Sequence, residues 1–234
     1  MGVDAVIFDW GGTLTPWRNA DGQSWSRIAA QLMPSAEPAV VAAAAAALAA
    51  AEEEVWRRAR VEHRSGTLDE IFAAAGLVAD DAAHAAVDAE WEWATYLDPD
   101  VPELFARLRE RDIRVGILSN TCWRRARHEQ IFVRDGIDHL IDGAVYTSDI
   151  AWTKPHPEAF RAAMAAVAVD DPAQCVFVGD RLFDDIHGAR QVGMRAVFLP
   201  HSDIPFVQRG HIEGEPDATI QSLAEVLSLV DGWR

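Results

Sequence analysis

The sequence has few cysteines, a single lysine and no long hydrophobic run, and each of these scarcities excludes a class of protein. Cys122 and Cys175 are the only cysteines among 234 residues, and they lack the spacing of a paired-cysteine metal site. So few thiols exclude a disulfide framework and are typical of a reducing compartment, so we expect a cytoplasmic protein. The longest apolar run, residues 39–51, is mostly alanine and falls short of the ~20 residues that a membrane span needs. A secretory signal is not expected either, because the first residues already have strand character.

Positive charge is scarce as well. The chain has 21 lysines and arginines against 37 acidic residues, which gives a formal net charge of -16. Such a chain repels phosphate backbones and anionic lipid, so we expect neither a nucleic-acid partner nor a membrane partner. Lys154 is the only lysine. A lysine kept once in an arginine-rich chain suggests a place where a compact ammonium fits and a planar guanidinium does not.

Half of the residues are hydrophobic, which is enough for a full core in one large or two modest domains. Residues 6–8 form a short hydrophobic strand that runs into Asp9. Residues 22–96 show mainly helical signals, including an alanine-rich run, and predict about four helices. Within that block, Thr67 and Glu70 have the spacing of a helix capping box.

From Pro99 onward, helices and strands alternate regularly. The expected elements are a helix at 101–111, strand 114–118, helix 123–133, a short apolar stretch at 144–146, a helix opened by Lys154-Pro155 and ending at 167, strand 175–178, helix 184–192, strand 196–199 and helix 222–230. This alternation predicts an α/β fold with a doubly wound, Rossmann-like and mainly parallel sheet. We expect an α/β core domain formed by residues 1–15 and 98–234, with residues 16–97 as an inserted all-α cap domain.

Polar residues stand at the carboxyl ends of three predicted strands, where parallel sheets bind ligands. They are Asp9, the pair Ser119-Asn120, and Asp180 after Gly179. Asp180 begins a cluster that continues with Asp184 and Asp185, and these carboxylates would repel one another in a crevice. Hard carboxylate oxygens favour Mg²⁺ as the compensating cation. The alternative is a solvated helix start, where aspartate is also favourable.

Four segments in order resemble the motifs of the haloacid dehalogenase (HAD) superfamily, in the branch with a helical cap inserted after the first motif. They are FDWGGTL at Asp9, LSNT at Ser119, TKPHPEAF at Lys154, and VGDRLFDDIHGARQVGM at Asp180 and Asp185. The resemblance spans nearly the whole chain. It implies a hydrolase that acts on the phosphate monoester of a small molecule through an aspartyl-phosphate intermediate, with Mg²⁺ as cofactor.

The resemblance also implies a role for each matching residue. Asp9 would be the nucleophile, while Ser119 and Lys154 would bind the phosphoryl oxygens and stabilise their charge. Backbone amides would add donors at Trp10, Gly11, Gly12 and Asn120. The metal ligands would be Asp9, the carbonyl of Gly11, Asp180 and Asp185, with Asp184 as a further candidate for holding metal-bound water.

Gly11 departs from the family pattern. Phosphatases of the family usually have a second aspartate there, which transfers a proton to the leaving alcohol, a step typically worth 10²–10⁴-fold in rate. Glu62, His63 and His128 are candidate substitutes. The departure also leaves three other functions open: a metal-free 2-haloacid dehalogenase, a phosphonate hydrolase and a non-catalytic ligand-binding protein. A phosphonate hydrolase would require a lysine in the cap, and the predicted cap has none.

The predicted cap is rich in tryptophan and arginine, most of which we assign to packing and to the solvated surface. Because they follow the nucleophile closely, we expect at least one of Trp17, Arg18 and Trp25 to contact the substrate. The loop from Pro200 to Pro216 includes His201, Asp203 and His211, whose spacing matches no metal site, and we interpret it as a connection. The sequence does not indicate the particular substrate or the oligomeric state.

Overall fold

The computed structural model describes residues 2–17, 19, 21–200 and 213–233. Its centre is a sheet of six parallel strands in the order β3-β2-β1-β4-β5-β6. The strands are β1 Ala5–Phe8, β2 Arg114–Ser119, β3 Gly143–Tyr146, β4 Cys175–Gly179, β5 Arg195–Phe198 and β6 Ala218–Thr219. The chain order reverses direction on either side of β1, so the predicted doubly wound α/β fold is confirmed.

Helices among the described residues pack on both faces of the sheet and make up the segment that follows β1. They are α1 Ser24–Leu32, α2 Pro38–Glu62, α3 Leu68–Ala74, α4 Asp81–Trp91, α5 Val101–Arg109, α6 Arg125–Arg134, α7 Pro157–Ala166, a π-helical segment Leu182–His187 that continues into α8 Gly188–Val192, and α9 Glu225–Gly232. Among the described residues, no helix is both long enough and apolar enough to cross a membrane.

The alternating side chains of β1 contribute to two hydrophobic clusters, one on each face of the sheet. Val6 and Phe8 pack in a hydrophobic cluster with α5, α6 and α9 on one face. Ala5 and Ile7 pack with α7 and α8 on the other. Successive residues of a strand point to opposite faces, so a strand buried on both sides must be apolar throughout. All four residues of β1 are fully buried, which fixes Asp9 at the end of an immobile central strand.

Residues 16–97 make up what we call the helical insert, in which α1 to α4 pack around a hydrophobic cluster that also includes Cys122 from outside the insert. The insert leaves and rejoins the sheet at one point, because the Asp98 amide donates to the Leu14 carbonyl at 2.8 Å. It also contacts the core through an isolated antiparallel bridge between Arg64 and Trp152. The division of the chain into a core domain and a cap domain stays a prediction.

Several local expectations need correction. The helices expected from 123 and from 222 begin at Arg125 and Glu225. The helix expected to open at Lys154-Pro155 begins only at Pro157, because His156 is its N-cap and accepts from the Glu158 amide at 3.2 Å. Lys154 therefore lies in the turn before α7. The helix expected over 184–192 begins two residues earlier, as a π-helical segment. Strand β6 was not predicted, because two residues give no periodic signal.

Candidate active site

The carboxyl ends of the three central strands bring Asp9, Ser119 and Asp180 together. Asp9 follows β1, Ser119 ends β2 and Asp180 follows β4, and both β2 and β4 pair directly with β1. All three side chains are buried. The predicted convergence of these residues at one edge of the sheet is therefore present in the structure.

Lys154 lies at the centre of this site. Its ammonium donates to Asp9 Oδ1 at 2.5 Å and to Asp185 Oδ1 at 2.7 Å, and only 2% of its side chain is exposed. Two hydrogen bonds to the amide side chain of Asn120 align the lysine backbone: the Lys154 amide donates to Asn120 Oδ1 at 2.9 Å, and Asn120 Nδ2 donates to the Lys154 carbonyl at 3.2 Å. The sequence suggested only the backbone amide of Asn120, so this positioning role was missed.

Burial and charge act in opposition on these groups. Burial alone would lower the pKa of the Lys154 ammonium, but the carboxylates of Asp185 and Asp9 outweigh it and hold that pKa above its usual value. For Asp185, burial raises the pKa to about 6, against the opposing effect of the Lys154 ammonium. The lysine is therefore a permanent cation, and Asp185 is a carboxyl group that titrates close to neutrality.

The carboxylates of the site carry more negative charge than Lys154 can neutralise, and a metal cation would balance the excess. Asp9, Asp180 and Asp185 each offer a carboxylate oxygen, and these atoms lie within 4.8 Å of one another. Three buried carboxylates against one ammonium leave an excess of two negative charges, which a divalent ion would neutralise. An all-oxygen donor set is the kind that Mg²⁺ prefers. Asp184 is not one of these three carboxylates and pairs with Arg181 Nη1 at 3.5 Å.

Two glycines make room for this cluster. A Cβ on Gly12 would lie 2.4 Å from Asp180 Oδ2, and the φ of +98° at this residue is one that other residues rarely adopt. A Cβ on Gly179 would lie 2.4 Å from the Asp185 carboxyl carbon. The carboxylates can therefore converge only because both positions lack a side chain.

The loop after Asp9 is a tight turn that holds the aspartate from its second oxygen. Thr13 Oγ1 donates to Asp9 Oδ2 at 3.2 Å, a contact that the sequence did not single out. The Gly12 amide donates to the Thr15 carbonyl at 2.8 Å, so it is already engaged within the turn. The amides of Trp10 and Gly11 remain candidate donors to a ligand. A Cβ on Gly11 would meet nothing within 4 Å, so the space at this position of the turn is open.

The three candidate proton donors lie in very different places. Glu62 is exposed and accepts a hydrogen bond from Arg57. His128 is fully buried between aromatic rings, 4.4 Å from the ring centre of Tyr146 and 4.8 Å from that of Trp10. Burial lowers its pKa to about 3, so it is neutral at physiological pH and has no access to a substrate. Only His63 lies beside the aspartate cluster, where it interacts favourably with Asp184.

The residues expected to contact substrate also lie in different parts of the structure. Trp25 is buried in the core of the helical insert, where its Nε1 donates to Glu52 at 2.6 Å. Trp17 lies at the site, with the Arg181 guanidinium 5.5 Å from its ring centre. Arg18 lies outside the described residues, as do His201, Asp203 and His211. Arg181 was missed by the sequence, although it directly follows Asp180.

The fold is a doubly wound parallel sheet of the Rossmann-like α/β class, with a buried aspartate, a buried lysine and an acidic cluster beyond the carboxyl ends of its central strands. The chain belongs to the haloacid dehalogenase-like hydrolase family, whose model matches residues 3–193. The recognition made from the four motifs is thus confirmed.

Individual relatives are distant. A glyceraldehyde 3-phosphate phosphatase from Pyrococcus abyssi is 33% identical over 103 residues, which cover 44% of this chain and 42% of the relative. The match therefore spans less than half of that protein. The structure of a HAD phosphatase from Thermococcus onnurineus superposes with a TM-score of 0.66 at 20% identity, covering 99% of this chain and 100% of the other. An L-2-haloacid dehalogenase from Xanthobacter autotrophicus gives 0.61 at 20%, with the same coverage. These structural likenesses show the shared fold.

Proposed function

We propose that the protein is a Mg²⁺-dependent hydrolase of small-molecule phosphate monoesters that works through an aspartyl-phosphate intermediate. The observation that carries the proposal is the position of Lys154, which joins Asp9 to Asp185 in a site shared with Asp180. A nucleophile, a fixed cation and a divalent-metal site are the parts that phosphoryl transfer requires, because its catalysis depends mainly on positioning and charge stabilisation.

Each residue has a defined task in this proposal. A carboxylate oxygen of Asp9 attacks phosphorus, and water later hydrolyses the acyl phosphate and regenerates the carboxylate. Lys154 and Ser119 stabilise the phosphoryl oxygens. Asp9, Asp180, Asp185 and the Gly11 carbonyl would hold Mg²⁺, which when bound supplies Lewis-acid stabilisation of phosphoryl charge. Backbone amides of Trp10 and Gly11 contribute further donors, while Asn120 acts by holding Lys154.

The acidic cluster favours this function over the dehalogenase. Both kinds of enzyme share the fold, as the two structural likenesses illustrate. A metal-free attack on a halocarboxylate has no use for Asp180 and Asp185 beside the nucleophile, since further negative charge would repel the anionic substrate. A protein that only binds ligands would likewise have no need for a cation fixed on a nucleophile.

We further propose that the helical insert is a cap that closes over the site and selects the substrate. Its position after β1 and its contacts with the loops at Trp152 and Cys122 support this. The name of the Pyrococcus relative suggests phosphorylated metabolites of a few carbon atoms as the substrate class. Two free, buried cysteines support a cytoplasmic location.

The test is a screen of small phosphate esters, including glyceraldehyde 3-phosphate and 4-nitrophenyl phosphate, with and without Mg²⁺. We expect phosphate release that needs Mg²⁺ and that Asp9→Asn abolishes. Chloride release from 2-chloropropionate without metal would establish the dehalogenase instead. Ligand binding without release of either product would establish the binding protein.

A further inference from the structure

The open space at Gly11 raises the question of which group protonates the leaving alcohol. The charged groups around Asp9 are already committed: Lys154 is bonded to two carboxylates, and Asp180 and Asp185 belong to the acidic cluster. Burial raises the pKa of the Asp184 carboxyl in spite of the opposing effect of Arg181, whose Nη1 lies 3.5 Å from it. A further titratable side chain near Asp184, that of His63, comes from the helical insert.

We propose that His63 is the proton donor and acceptor of the reaction, taking the place that Gly11 leaves vacant. The proposal rests on the proposed phosphatase function and adds a residue to it. His63 ends α2, and its imidazole centre lies 6.2 Å from the ring centre of Phe183, the neighbour of Asp184. An imidazole suits the task because the same side chain can donate a proton and accept one.

A backbone hydrogen bond joins His63 to the turn that carries Lys154. The His63 carbonyl accepts a hydrogen bond of 2.9 Å from the amide of Thr153, which directly precedes Lys154. The φ of His63 is +53°, a left-handed conformation in which helices usually end with glycine or asparagine. A larger side chain is kept there despite the conformational cost, as happens at functional positions.

The imidazole also has unused hydrogen-bonding capacity. Its Nδ1 is buried and has no hydrogen-bonding partner among the described residues. The titratable groups that interact with the ring are Asp184, from the π-helical segment, and His156, from the turn before α7, while Arg64 lies close enough to act on His156. In the proposed reaction the Nδ1 nitrogen gives and takes the proton.

The proton balance is simple. Asp9 attacks phosphorus, the bond from phosphorus to the ester oxygen breaks with its electron pair, and protonated His63 gives its proton to that oxygen, releasing the alcohol. Neutral His63 then removes a proton from the water that attacks the aspartyl-phosphate. The bond from Asp9 to phosphorus breaks, which releases phosphate and leaves the carboxylate with His63 protonated again.

The test compares two esters of similar shape, phenyl phosphate and 4-nitrophenyl phosphate, of which only the first has a leaving group that needs protonation. We expect His63→Asn to lower kcat/KM at least about 100-fold for phenyl phosphate but less than about tenfold for the nitrophenyl ester. The decline of kcat/KM at alkaline pH with phenyl phosphate should also be lost. Asparagine tolerates the left-handed backbone, so the variant should fold. The exposed His139→Asn is the matched control and should behave as wild type.

Equal losses for both esters, or no loss, would overturn the role of His63 while leaving the phosphatase in place. The same would follow if Asp184→Asn, and not His63→Asn, gave the leaving-group dependence. If the wild-type protein with Mg²⁺ hydrolyses neither ester nor any other phosphate ester in the screen, the phosphatase proposal fails, and the role of His63 fails with it.

Discussion

At the scale of single residues, Lys154 shows why one lysine persists in an arginine-rich chain. Its ammonium fits between two carboxylates at 2.5 and 2.7 Å in a site closed to solvent. A guanidinium is wider and planar, so it cannot approach both oxygens from the same backbone position. The chain therefore keeps a lysine at this position because the space between the two carboxylates admits an ammonium and not a guanidinium.

We therefore expect Lys154→Arg to lower kcat at least about 100-fold although it preserves the charge, because the donor to the phosphoryl oxygens is displaced. The measurement is steady-state phosphate release at saturating substrate with Mg²⁺. Arg161→Lys, an equivalent exchange at an exposed position of α7, is the control and should leave kcat unchanged. Activity within a few-fold of wild type in Lys154→Arg would show that the ammonium is not needed at that point.

His128 gives a prediction about stability. Its pKa is lowered to about 3 by burial, whereas a histidine in the unfolded chain binds a proton below about pH 6.5. Lowering the pH through 6.5 therefore favours the unfolded state, by about 2 kcal/mol at pH 5. We expect His128→Phe, which keeps an aromatic ring in the cluster, to lose less of its free energy of unfolding than wild type between pH 7.5 and pH 5. Urea unfolding at both values measures this, and equal losses in the two proteins would contradict it.

Gly11 can be tested by filling its space. Since a Cβ there meets nothing within 4 Å, Gly11→Asp should fold normally. If His63 already supplies the proton, we expect kcat/KM for phenyl phosphate to stay within about threefold of wild type. Gly11→Asn is the matched control for added volume. An increase of tenfold or more in the aspartate variant alone would show that the natural site lacks an efficient proton donor.

At the scale of elements, the start of α3 shows a sequence motif of which only one half is present. Thr67 Oγ1 accepts from the Glu70 amide at 3.1 Å, as the capping-box spacing predicted. The Glu70 carboxylate, however, bonds to Arg58 of α2 at 2.6 Å. The Glu70 side chain therefore forms an ion pair with α2 and does not complete the capping box. This ion pair links α2 to α3 within the insert.

We expect Thr67→Ala to reduce the free energy of unfolding by about 1 kcal/mol, because the amide of Glu70 loses its acceptor. Thr67→Ser keeps the hydroxyl and should cost much less. Urea unfolding of the two variants in parallel measures the difference. Equal stability of the alanine and serine variants would mean that water replaces the cap at no cost.

At the scale of the whole molecule, the long-range arrangement was more predictable than its local details. Asp9, Ser119 and Asp180 could be placed together from sequence because parallel strands end at one edge of a sheet. The bonds of Asn120 to Lys154 could not, since both are made across a loop whose path has no periodic signal. The position of His63 depends on a left-handed residue and on hydrogen bonding to Thr153, neither of which a pattern in the sequence indicates.

Magnesium should stabilise the entire chain in a pH-dependent way. A ligand that binds only the folded state raises the free energy of unfolding, by about 2.7 kcal/mol at 100 times its Kd. Because the Asp185 carboxyl has a pKa of about 6, protons compete with the metal below that value, and we expect the affinity to fall about fourfold by pH 5.5. Thermal melts with increasing Mg²⁺ at pH 7.5 and 5.5 test this. Asp180→Asn should abolish the shift, and a shift that is independent of pH would contradict the role given to Asp185.

The hydrogen bond between Leu14 and Asp98 has a consequence for how such enzymes diversify. The chain leaves the sheet after Leu14 and returns to it at Asp98, right beside the point of departure. The stretch between them could therefore be exchanged for another without cutting any strand of the sheet or displacing Asp9. Evolution can therefore exchange the helical insert while the strands and Asp9 stay in place, but a new insert would have to bring its own counterpart of His63.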